Sequence, residues 1–416
     1  MTVKIKYEKK QNLSLLLQKL SEISILQDGK VTYTAFEHRN LQWLFLSIID
    51  FGNILNQESK KQILEKVFQK LAHSRKYEKK VFLECLNKEF HHHTAKEKKT
   101  FFVLATLSIK YLPFRAINFG RCNIKIHGTS FPTKFNRHTI NESNGCKNDD
   151  EKTVKLSIKI NSKNALDAYE EGYAYFEIFR SFLCLIDNST YEIRFDDRNL
   201  NPINQIQVGE TISVHNEDGT NALDRGRCFI VPNFQKLNPF LPSKEKISKF
   251  KKTIPWMIKQ FNKCSLNHQA SLINALNSYT SAFDERNKYT CFLKAWTTLE
   301  LLLDSDQNDT LIKRASALYL NTAKPYKKQI LESLRLFRNE FVHKGNSSAE
   351  SLEACFFVQE FIKDLIIKLN LSYAGFFNTI EDANLFLDNL SLGIGELRRK
   401  KKIADKVIKL EQSISL

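Results

Sequence analysis

The sequence predicts a predominantly α-helical protein with an α+β domain in the middle, and three observations lead to this prediction. Apolar residues recur at three- and four-residue spacing near both ends of the chain. Short alternating or β-branched segments appear after Pro113, and almost no strand pattern follows residue 247. The chain has 416 residues, 42% of them hydrophobic, which is enough for two or three domains.

Residues 1–113 are predicted to form a helical N-terminal region. Leucines recur at three- and four-residue spacing in residues 11–28, and a similar spacing of apolar residues continues through residues 36–72. Side chains at this spacing lie on one face of an α-helix, where they can pack against a neighbouring element. We therefore expect amphipathic helices in both segments.

Residues 114–246 are predicted to form an α+β domain followed by a linker. Strands are expected at NIKIHG, KTVKLSIKI and TYEIRF, because these segments are alternating or β-branched and are bounded by turn-forming residues. Residues 164–186 have helical periodicity, and the polar residues 138–151 predict an exposed loop. The proline-rich residues 231–246 are expected to link this domain to the next.

The chain from residue 247 onwards is predicted to be helical. Residues 247–372 are expected to form one helical domain, and residues 373–416 add two further helices. The periodicity places helices near 266–284, 287–303, 310–321, 326–343, 348–370, 376–390 and 394–412.

The chain is strongly basic, and the excess lies in its N-terminal two thirds. The 63 Lys and Arg residues exceed the 46 Asp and Glu residues by 17. Up to Cys264 the excess is 15, and residues 51–138 alone contribute 12. A basic surface of this kind can position nucleic-acid phosphates, whereas lysine-rich solvated helix faces would have the same composition. Composition alone leaves both interpretations open.

The sequence predicts neither a membrane protein nor a secreted one. The longest apolar stretches, residues 44–49 and 101–109, are far shorter than the ~20 residues needed to span a bilayer. The charged start lacks a secretory signal pattern. The eight cysteines are widely spaced without a C-x-x-C pair, which predicts reduced thiols rather than a zinc site or a disulfide framework. We therefore expect a cytoplasmic protein.

No cofactor and no metal are expected. The sequence contains no Walker-type phosphate loop and no G-x-G-x-x-G or G-x-S-x-G motif. Residues 91–93 are three consecutive histidines, but adjacent side chains diverge and no second cluster of ligands is near in sequence. The histidine triplet is therefore a weak metal-site candidate.

One group of residues has the types needed for phosphoryl-transfer chemistry on RNA. The segment ESLRLFRNEFVHKGNSS places Arg338, Asn339 and His343 at the end of a predicted helix, just before Gly345. A histidine can move the protons of a 2′-hydroxyl and a leaving oxygen, and an arginine can hold the charge that develops on phosphate. Arg–His pairs at this spacing also arise by chance, but the adjacent Asn, the helical context and the Gly set this one apart.

The position of Arg338 on its helix is a second observation. Arg338 falls within the arc of apolar residues on the predicted helix 326–343, where a charged group needs a partner. A bound phosphate or a groove at a dimer interface would satisfy it, and so would a carboxylate such as Glu340. Arg338 and His343 are separated by roughly 140° around the helix, so two copies of the chain would aim both groups at one phosphate more easily than one copy.

Residues 265–370 resemble an HEPN domain of the Apea-like branch. The resemblance rests on three blocks: FLKAWTTLELLL (292–303), LIKRASALY (311–319) and LRLFRNEFVHKG (334–345). It implies a short helical bundle that pairs into a homodimer, so the predicted fold class is mainly α with a C-terminal HEPN-type bundle. By position, Arg338 and His343 match the family's Arg and His, and Asn339 matches the polar position after the Arg.

The resemblance also implies an activity and two supporting positions. Active members of the family are metal-independent endoribonucleases of anti-phage defence, abortive infection and toxin systems, and their cleavage leaves 2′,3′-cyclic phosphate ends. Glu300 and Arg314 match recurring positions of the first two blocks. Gly345 stands where nucleotidyltransferase-paired toxins carry Tyr, and the predicted helical start differs from the cyclic-oligonucleotide-activated nucleases. Both of those subtypes are therefore disfavoured.

The sequence therefore predicts a cytoplasmic homodimeric RNA endonuclease that acts in defence through a composite Arg/His site. Structured RNAs such as tRNA are expected substrates, because flexible single-stranded loops present phosphates in the required geometry. A phage-derived trigger is an expected partner. The alternative from another class is a non-catalytic HEPN dimerisation module with a basic, nucleic-acid-binding N-terminal region. A third alternative is an antitoxin-like partner protein.

Overall fold

A computed structural model gives the fold of the chain. It describes residues 3–6, 12–52, 55, 57–136, 152–189, 201–223, 228–231, 234, 238–319, 322–344, 351–390 and 392–414, with the backbone alone at 35, 341–344 and 413–414. Helices predominate, and one six-stranded antiparallel sheet lies in the middle of the sequence. The prediction of a mainly helical chain with an α+β middle is confirmed.

An N-terminal unit, residues 3–95, has its own hydrophobic core. Apolar residues between Val3 and Phe90 form this core. Its elements are β1 (Lys4–Ile5), α1 (Leu13–Ile23), β2 (Ser24–Gln27), β3 (Lys30–Tyr33), α2 (Ala35–Ile48), β4 (Ile49–Asp50), α3 (Gln57–Ser74) and α4 (Lys79–Ala95).

The N-terminal helices are shorter than predicted. The helix predicted over residues 11–28 ends at Ile23, and a β2–β3 hairpin follows it. Asp28 and Gly29 form the hairpin turn with φ angles of 50° and 72°, a conformation that Asp-Gly adopts readily. The predicted helix 36–72 is two helices separated by β4.

The sheet combines strands from distant parts of the sequence. Its order is β10-β9-β5-β8-β7-β6, and neighbouring strands are antiparallel. The strands are β5 (Lys99–Leu107), β6 (Ala116–Phe119), β7 (Cys122–Ile126), β8 (Val154–Ser162), β9 (Thr211–Asn216) and β10 (Phe229–Ile230).

Two of the predicted strands are confirmed, and one strand, β5, lies where helix was predicted. NIKIHG overlaps β7 and KTVKLSIKI overlaps β8, whereas TYEIRF and the predicted loop 138–151 lie outside the described residues. The prediction of a helical region up to residue 113 is wrong for β5, which is a central strand. Its last seven residues are all buried, so its sequence lacks the alternation of a strand with one solvent face.

The long helix α6 (Ala165–Asp187) packs against the sheet, as its periodicity predicts. The Asn164 side chain caps its first turn by accepting hydrogen bonds from the backbone N–H groups of Leu166 and Asp167. Gly172 brings the helix close to the sheet, because a Cβ atom there would lie 2.7 Å from Val103 Cγ2. The short helix α5 (Thr133–Asn136) precedes β8.

The C-terminal part is helical throughout its described length, as predicted. Its helices are α7 (Lys244–Phe261), α8 (Leu266–Phe283), α9 (Lys288–Leu303), α10 (Asn308–Ala317), α11 (Ala323–Lys344), α12 (Ser351–Asp364) with a π-helical continuation (Leu365–Leu371), α13 (Ile380–Leu390) and α14 (Ile394–Ile414).

One hydrophobic core joins the sheet to these helices. It runs without interruption from Phe101 on β5 through α6 to Leu387 on α13. The segments predicted as separate domains, 114–246 and 247–372, therefore share a core. By contrast, every described side chain of α14 from Gly395 onwards is exposed.

The N-terminal unit contacts the rest of the protein at the start of α6, through two carboxylates of this helix and through Lys163, whose Nζ donates a hydrogen bond of 2.7 Å to the carbonyl of Thr94. Glu170 accepts hydrogen bonds from the N–H groups of Gln57 and Glu58, at 3.1 and 2.8 Å, where α3 begins. Asp167 contacts His93 on α4, with 3.2 Å between His93 Nε2 and Asp167 Oδ2. A carboxylate at the first turn of a helix is favoured by the helix dipole.

The cysteines differ in part from the expectation of reduced thiols. Six cysteines are free: Cys85, Cys122, Cys184, Cys264, Cys291 and Cys355. Cys228 is disulfide-bonded, so the expectation is wrong there. Among the described helices, none combines the length and the apolar character needed to cross a membrane.

Candidate active site

Arg338 lies on α11, next to the apolar stripe that packs this helix into the bundle. Leu331 and Leu334 are buried, and Phe337 packs edge-on against Phe292 of α9 with 5.0 Å between the ring centroids. The Arg338 side chain retains 32% of its exposure. Packing thus fixes the base of this side chain, while its head reaches the surface.

Glu300 of α9 holds the head of Arg338. Arg338 Nη2 lies 3.3 Å from Glu300 Oε1, and the guanidinium carbon is 6.0 Å from the centre of the Trp296 ring. Trp296 Nε1 donates a hydrogen bond of 2.9 Å to the same Glu300 oxygen. Glu300 therefore links the buried indole to the arginine, and both Glu300 and Trp296 lie one turn apart on α9.

The charge of Glu300 is only partly stabilised. Burial raises the pKa of its carboxyl above the usual value, and the charge of Arg338 and the hydrogen bond from Trp296 oppose that rise. Because the Glu300 oxygen is shared between Trp296 and Arg338, this carboxylate does not form a bidentate pair with the guanidinium.

Most of the hydrogen-bonding capacity of Arg338 remains available. Within the described part of the chain, the contact with Glu300 is the one ion pair of its guanidinium, which has five N–H donors. The neighbouring Arg335 has a similar exposure of 28% but pairs with two carboxylates, Asp309 at 3.0 Å and Glu332 at 2.8 Å. Arg338 is thus oriented without being saturated.

The other two predicted catalytic residues lie on the same helix. Asn339 is half-buried and follows Arg338 directly. His343 is in the last turn of α11, which ends at Lys344, and its side chain lies outside the description. Arg338 and His343 are five residues apart on a continuous helix, so their backbone positions are roughly 140° apart around the helix axis.

Arg314, the second predicted supporting residue, makes its contacts elsewhere. Its guanidinium donates two hydrogen bonds to Asp388 Oδ2, at 2.9 and 3.3 Å, and one of 2.6 Å to the carbonyl of Leu303. These bonds join α10 to α13 and to the end of α9. The structure therefore brings Glu300 to Arg338 but gives Arg314 the contacts of a packing residue.

His93 of the histidine triplet and His127, another histidine that follows an arginine at a similar spacing (Arg121), have structural contacts. His93 is buried against Asp167, whereas His91 and His92 are exposed. His127 Nε2 lies 2.7 Å from the hydroxyl of Ser157 on the neighbouring strand. No group of three or more His, Cys, Asp or Glu side chains suited to a metal is present among the described residues.

A second arginine, Arg180, is buried at the junction of α6 and α8. It is not among the site residues predicted from the sequence. It bonds to the carboxylates of Glu177 and Asp284, with N···O distances between 2.7 and 3.0 Å. The available signal was the pair of charged residues at i and i+3 within the apolar segment FEIFRSFLCLI. Charges inside such a segment require partners in the fold.

Comparison with known proteins gives no further identification. No family model, no curated protein and no solved structure matches this chain.

Proposed function

We propose that the chain is a metal-independent RNA endonuclease of the HEPN type, cutting through a composite site of two copies. The proposal is supported chiefly by Arg338, which Glu300 orients at the surface and which has no other ion pair with a described residue, although it has five N–H donors. A pre-oriented, unsaturated guanidinium can bind a phosphate bidentately, whereas a saturated one cannot. The sequence resemblance supplies the rest of the argument.

The proposed reaction is a transesterification. The substrate 2′-oxygen attacks the adjacent phosphorus, its proton passes to a base, and the 5′-oxygen leaves after receiving a proton. The products are a 2′,3′-cyclic phosphate and a 5′-hydroxyl. In this scheme His343 moves a proton, Arg338 holds the charge that grows on the phosphate oxygens, and Asn339 assists in binding. Glu300 is a positioning residue for Arg338.

The angular separation of the two principal groups accounts for the proposed dimer. On one copy, the positions of Arg338 and His343 are roughly 140° apart around the axis of α11. Two α11 ends that face each other across a two-fold axis would place the arginine of one copy beside the histidine of the other. An isologous interface of this type repeats each contact twice.

The proposed setting is cytoplasmic anti-phage defence, with a structured RNA such as tRNA as substrate and a phage-derived trigger. The basic N-terminal unit would sense that trigger or position the RNA. Lysines and arginines in residues 57–99 face solvent on α3, on α4 and in the turn between them, including Lys66, Arg75, Lys76 and Lys80. Such side chains supply sequence-independent contacts to phosphates.

One observation favours the second candidate function, a non-catalytic dimerisation module. Arg338 already has a carboxylate partner, so its charge is compensated without any phosphate. That is what a purely structural arginine requires. In this case the helical bundle would serve only for pairing, and the basic N-terminal unit would bind nucleic acid.

The deciding experiment is sequencing of RNA ends by 2′,3′-cyclic-phosphate capture after expression in one host, with and without phage infection. We compare the wild type with Arg338→Ala and His343→Ala. The matched controls are Arg335→Ala, on the same helix with similar exposure, and His91→Ala, an exposed histidine of α4.

We expect new cyclic-phosphate ends with the wild type and with both controls, and a loss of about 100-fold or more in each site variant. Size-exclusion chromatography with light scattering checks that the variants remain dimers. If the wild type yields no new ends with or without infection, or if the site variants cut like the controls, the nuclease proposal fails. Dimers with nucleic-acid binding but no cleavage would support the second candidate.

A further inference from the structure

A polar cavity lies between α6, the sheet and the bundle, away from Arg338. Its volume is about 490 Å³, within the range of small-molecule sites. Tyr173, Glu177 and Arg180 of α6 form one wall, while Ser281 of α8 and Lys294 of α9 lie on the bundle side. The cavity thus borders both the sheet layer and the helical bundle.

The lining of this cavity carries a net negative charge. Four carboxylates and two cations face it: Glu170, Glu177, Asp284, Glu285, Arg180 and Lys294. Both cations are already used, since Arg180 bonds to Glu177 and Asp284, and Lys294 pairs with Glu285. An anion entering the cavity would therefore find no unpaired cation among these six residues, and a cation would find an excess of carboxylate.

Glu177 presents an acceptor without a partner. This residue is 9% exposed, and its Oε2 atom accepts two hydrogen bonds from Arg180, at 2.7 and 3.0 Å. Its Oε1 atom is buried and accepts no hydrogen bond from any described residue. A buried acceptor of this kind costs free energy until a donor reaches it.

An aromatic ring stands beside this carboxylate. Tyr173 is held by neighbouring rings, with centroid distances of 5.7 Å to Tyr169 and 5.9 Å to Phe176. Burial and the charge of Glu177 raise the pKa of the Tyr173 hydroxyl, so the ring stays neutral. A neutral aromatic side chain next to a carboxylate offers an organic cation both an apolar contact and a compensating charge.

We infer that this cavity binds a small organic cation carrying a primary amine or a guanidinium group. The cationic N–H donates to Glu177 Oε1, and the adjoining carbon chain lies against Tyr173. The excess of lining carboxylates balances the ligand's charge. The inference rests on different residues from the nuclease proposal, and a test of one proposal does not decide the other.

Isothermal titration calorimetry with the full-length protein tests the inference. The probes are agmatine, which carries a guanidinium and an amine, and putrescine, a diamine. Butane-1,4-diol is the matched control, since it has the length of putrescine without charge. We expect both cations to bind with a dissociation constant of about 1 mM or tighter, and the diol to give no measurable binding.

Two variants tie the binding to this cavity. Glu177→Gln removes the charge of the acceptor and should weaken agmatine binding about tenfold or more. Because Glu177 also pairs with Arg180, a second variant is needed that leaves the network intact. Ser281→Trp, at an exposed position on the rim, should block entry. Asn267→Trp, exposed on the first turn of the same helix, is its control.

The result expected is binding by the wild type and Asn267→Trp, and its loss in Ser281→Trp, with unchanged melting temperatures in the absence of ligand. Absence of heat with both cations in the wild type would overturn the inference. Equal binding by Ser281→Trp would also overturn it, because the cations would then bind outside the cavity. Equal affinity for the diol would show that charge plays no part.

Discussion

Arg180 and Arg338 are both partnered arginines, but their surroundings differ. Arg180 is buried and makes five hydrogen bonds, to Glu177, Asp284 and the carbonyl of Ile206. Arg338 is 32% exposed and has one ion pair within the described residues. The comparison teaches that the degree of saturation, rather than the presence of a partner, separates an arginine that holds the fold from one that can take a ligand.

The two arginines also differ in what depends on them. Asp284 accepts hydrogen bonds from Asn204 and Gln207 as well as from Arg180, so this carboxylate links α6, α8 and the segment before β9. Among the described residues, Arg338 is not part of such a network. Its partner Glu300 has one other bond, from Trp296 on the same helix as Glu300. Loss of Arg180 should therefore disturb the fold, and loss of Arg338 should not.

The largest effect is expected for Arg180→Met. This change leaves the buried Glu177 and the partly buried Asp284 without their shared cation, and we expect the free energy of unfolding to fall by about 3 kcal/mol. Urea denaturation followed by circular dichroism measures it. Arg335→Met, at the half-exposed Arg335, is the control and should cost about 1 kcal/mol or less. A similar loss of unfolding free energy in both variants would contradict the structural role given to Arg180.

A second cation near this network, the half-buried Lys363, should make stability depend on pH. Lys363 Nζ donates to the carbonyl of Asn188, whose side chain bonds to Asn204 and so joins the Arg180 network. Burial lowers the pKa of Lys363 to about 8 from its ordinary value of 10.5. Between these values the unfolded chain binds more protons than the native one, so the unfolding free energy rises with pH.

The test compares the wild type with Lys363→Met in urea at pH 8 and pH 10. We expect the wild type to gain about 2 kcal/mol relative to the variant over that interval. Because other lysines, tyrosines and cysteines titrate in both proteins, only the difference between the two is interpreted. A constant difference would mean that this lysine stays charged in the fold, like Arg180.

The smallest effect is expected for the pair at the candidate active site. A double-mutant cycle with Arg338→Ala and Glu300→Gln isolates its coupling energy, and Gln keeps an acceptor for the Trp296 indole. For a half-exposed, single-contact pair we expect coupling of about 1 kcal/mol or less. Coupling near 3 kcal/mol would make Arg338 a structural residue and favour the non-catalytic function.

Much of the helical architecture follows from local patterns in the sequence. The described helices from α8 to α13 match the periodicity, since each buries one face against neighbours, and β7 and β8 have the residue types of strands. The central strand β5 escapes such reasoning because tertiary burial on both faces removes its alternation. The Asp28-Gly29 turn carried a local signal that marks the β2–β3 hairpin.

The candidate active site shows where sequence reasoning ends. The position of Arg338 within an apolar arc follows from helix geometry, and so does its need for a partner. The sequence left this partner open between a phosphate, a dimer groove and a carboxylate such as Glu340, whereas the ion pair is with Glu300 on another helix. That contact depends on how α9 and α11 pack, as the cavity beside Glu177 depends on how α6 and α8 pack. Neither packing can be read from spacing along one helix.

The separation of the two hydrophobic cores bears on how the chain can change through evolution. A recombination breakpoint between α4 and β5, at residues 96–98, would cut through neither core. The incoming N-terminal unit would need to match the start of α6, where Lys163, Asp167 and Glu170 bond to the present unit. The sheet and the helical bundle, which share one core, have no such breakpoint and must be inherited together.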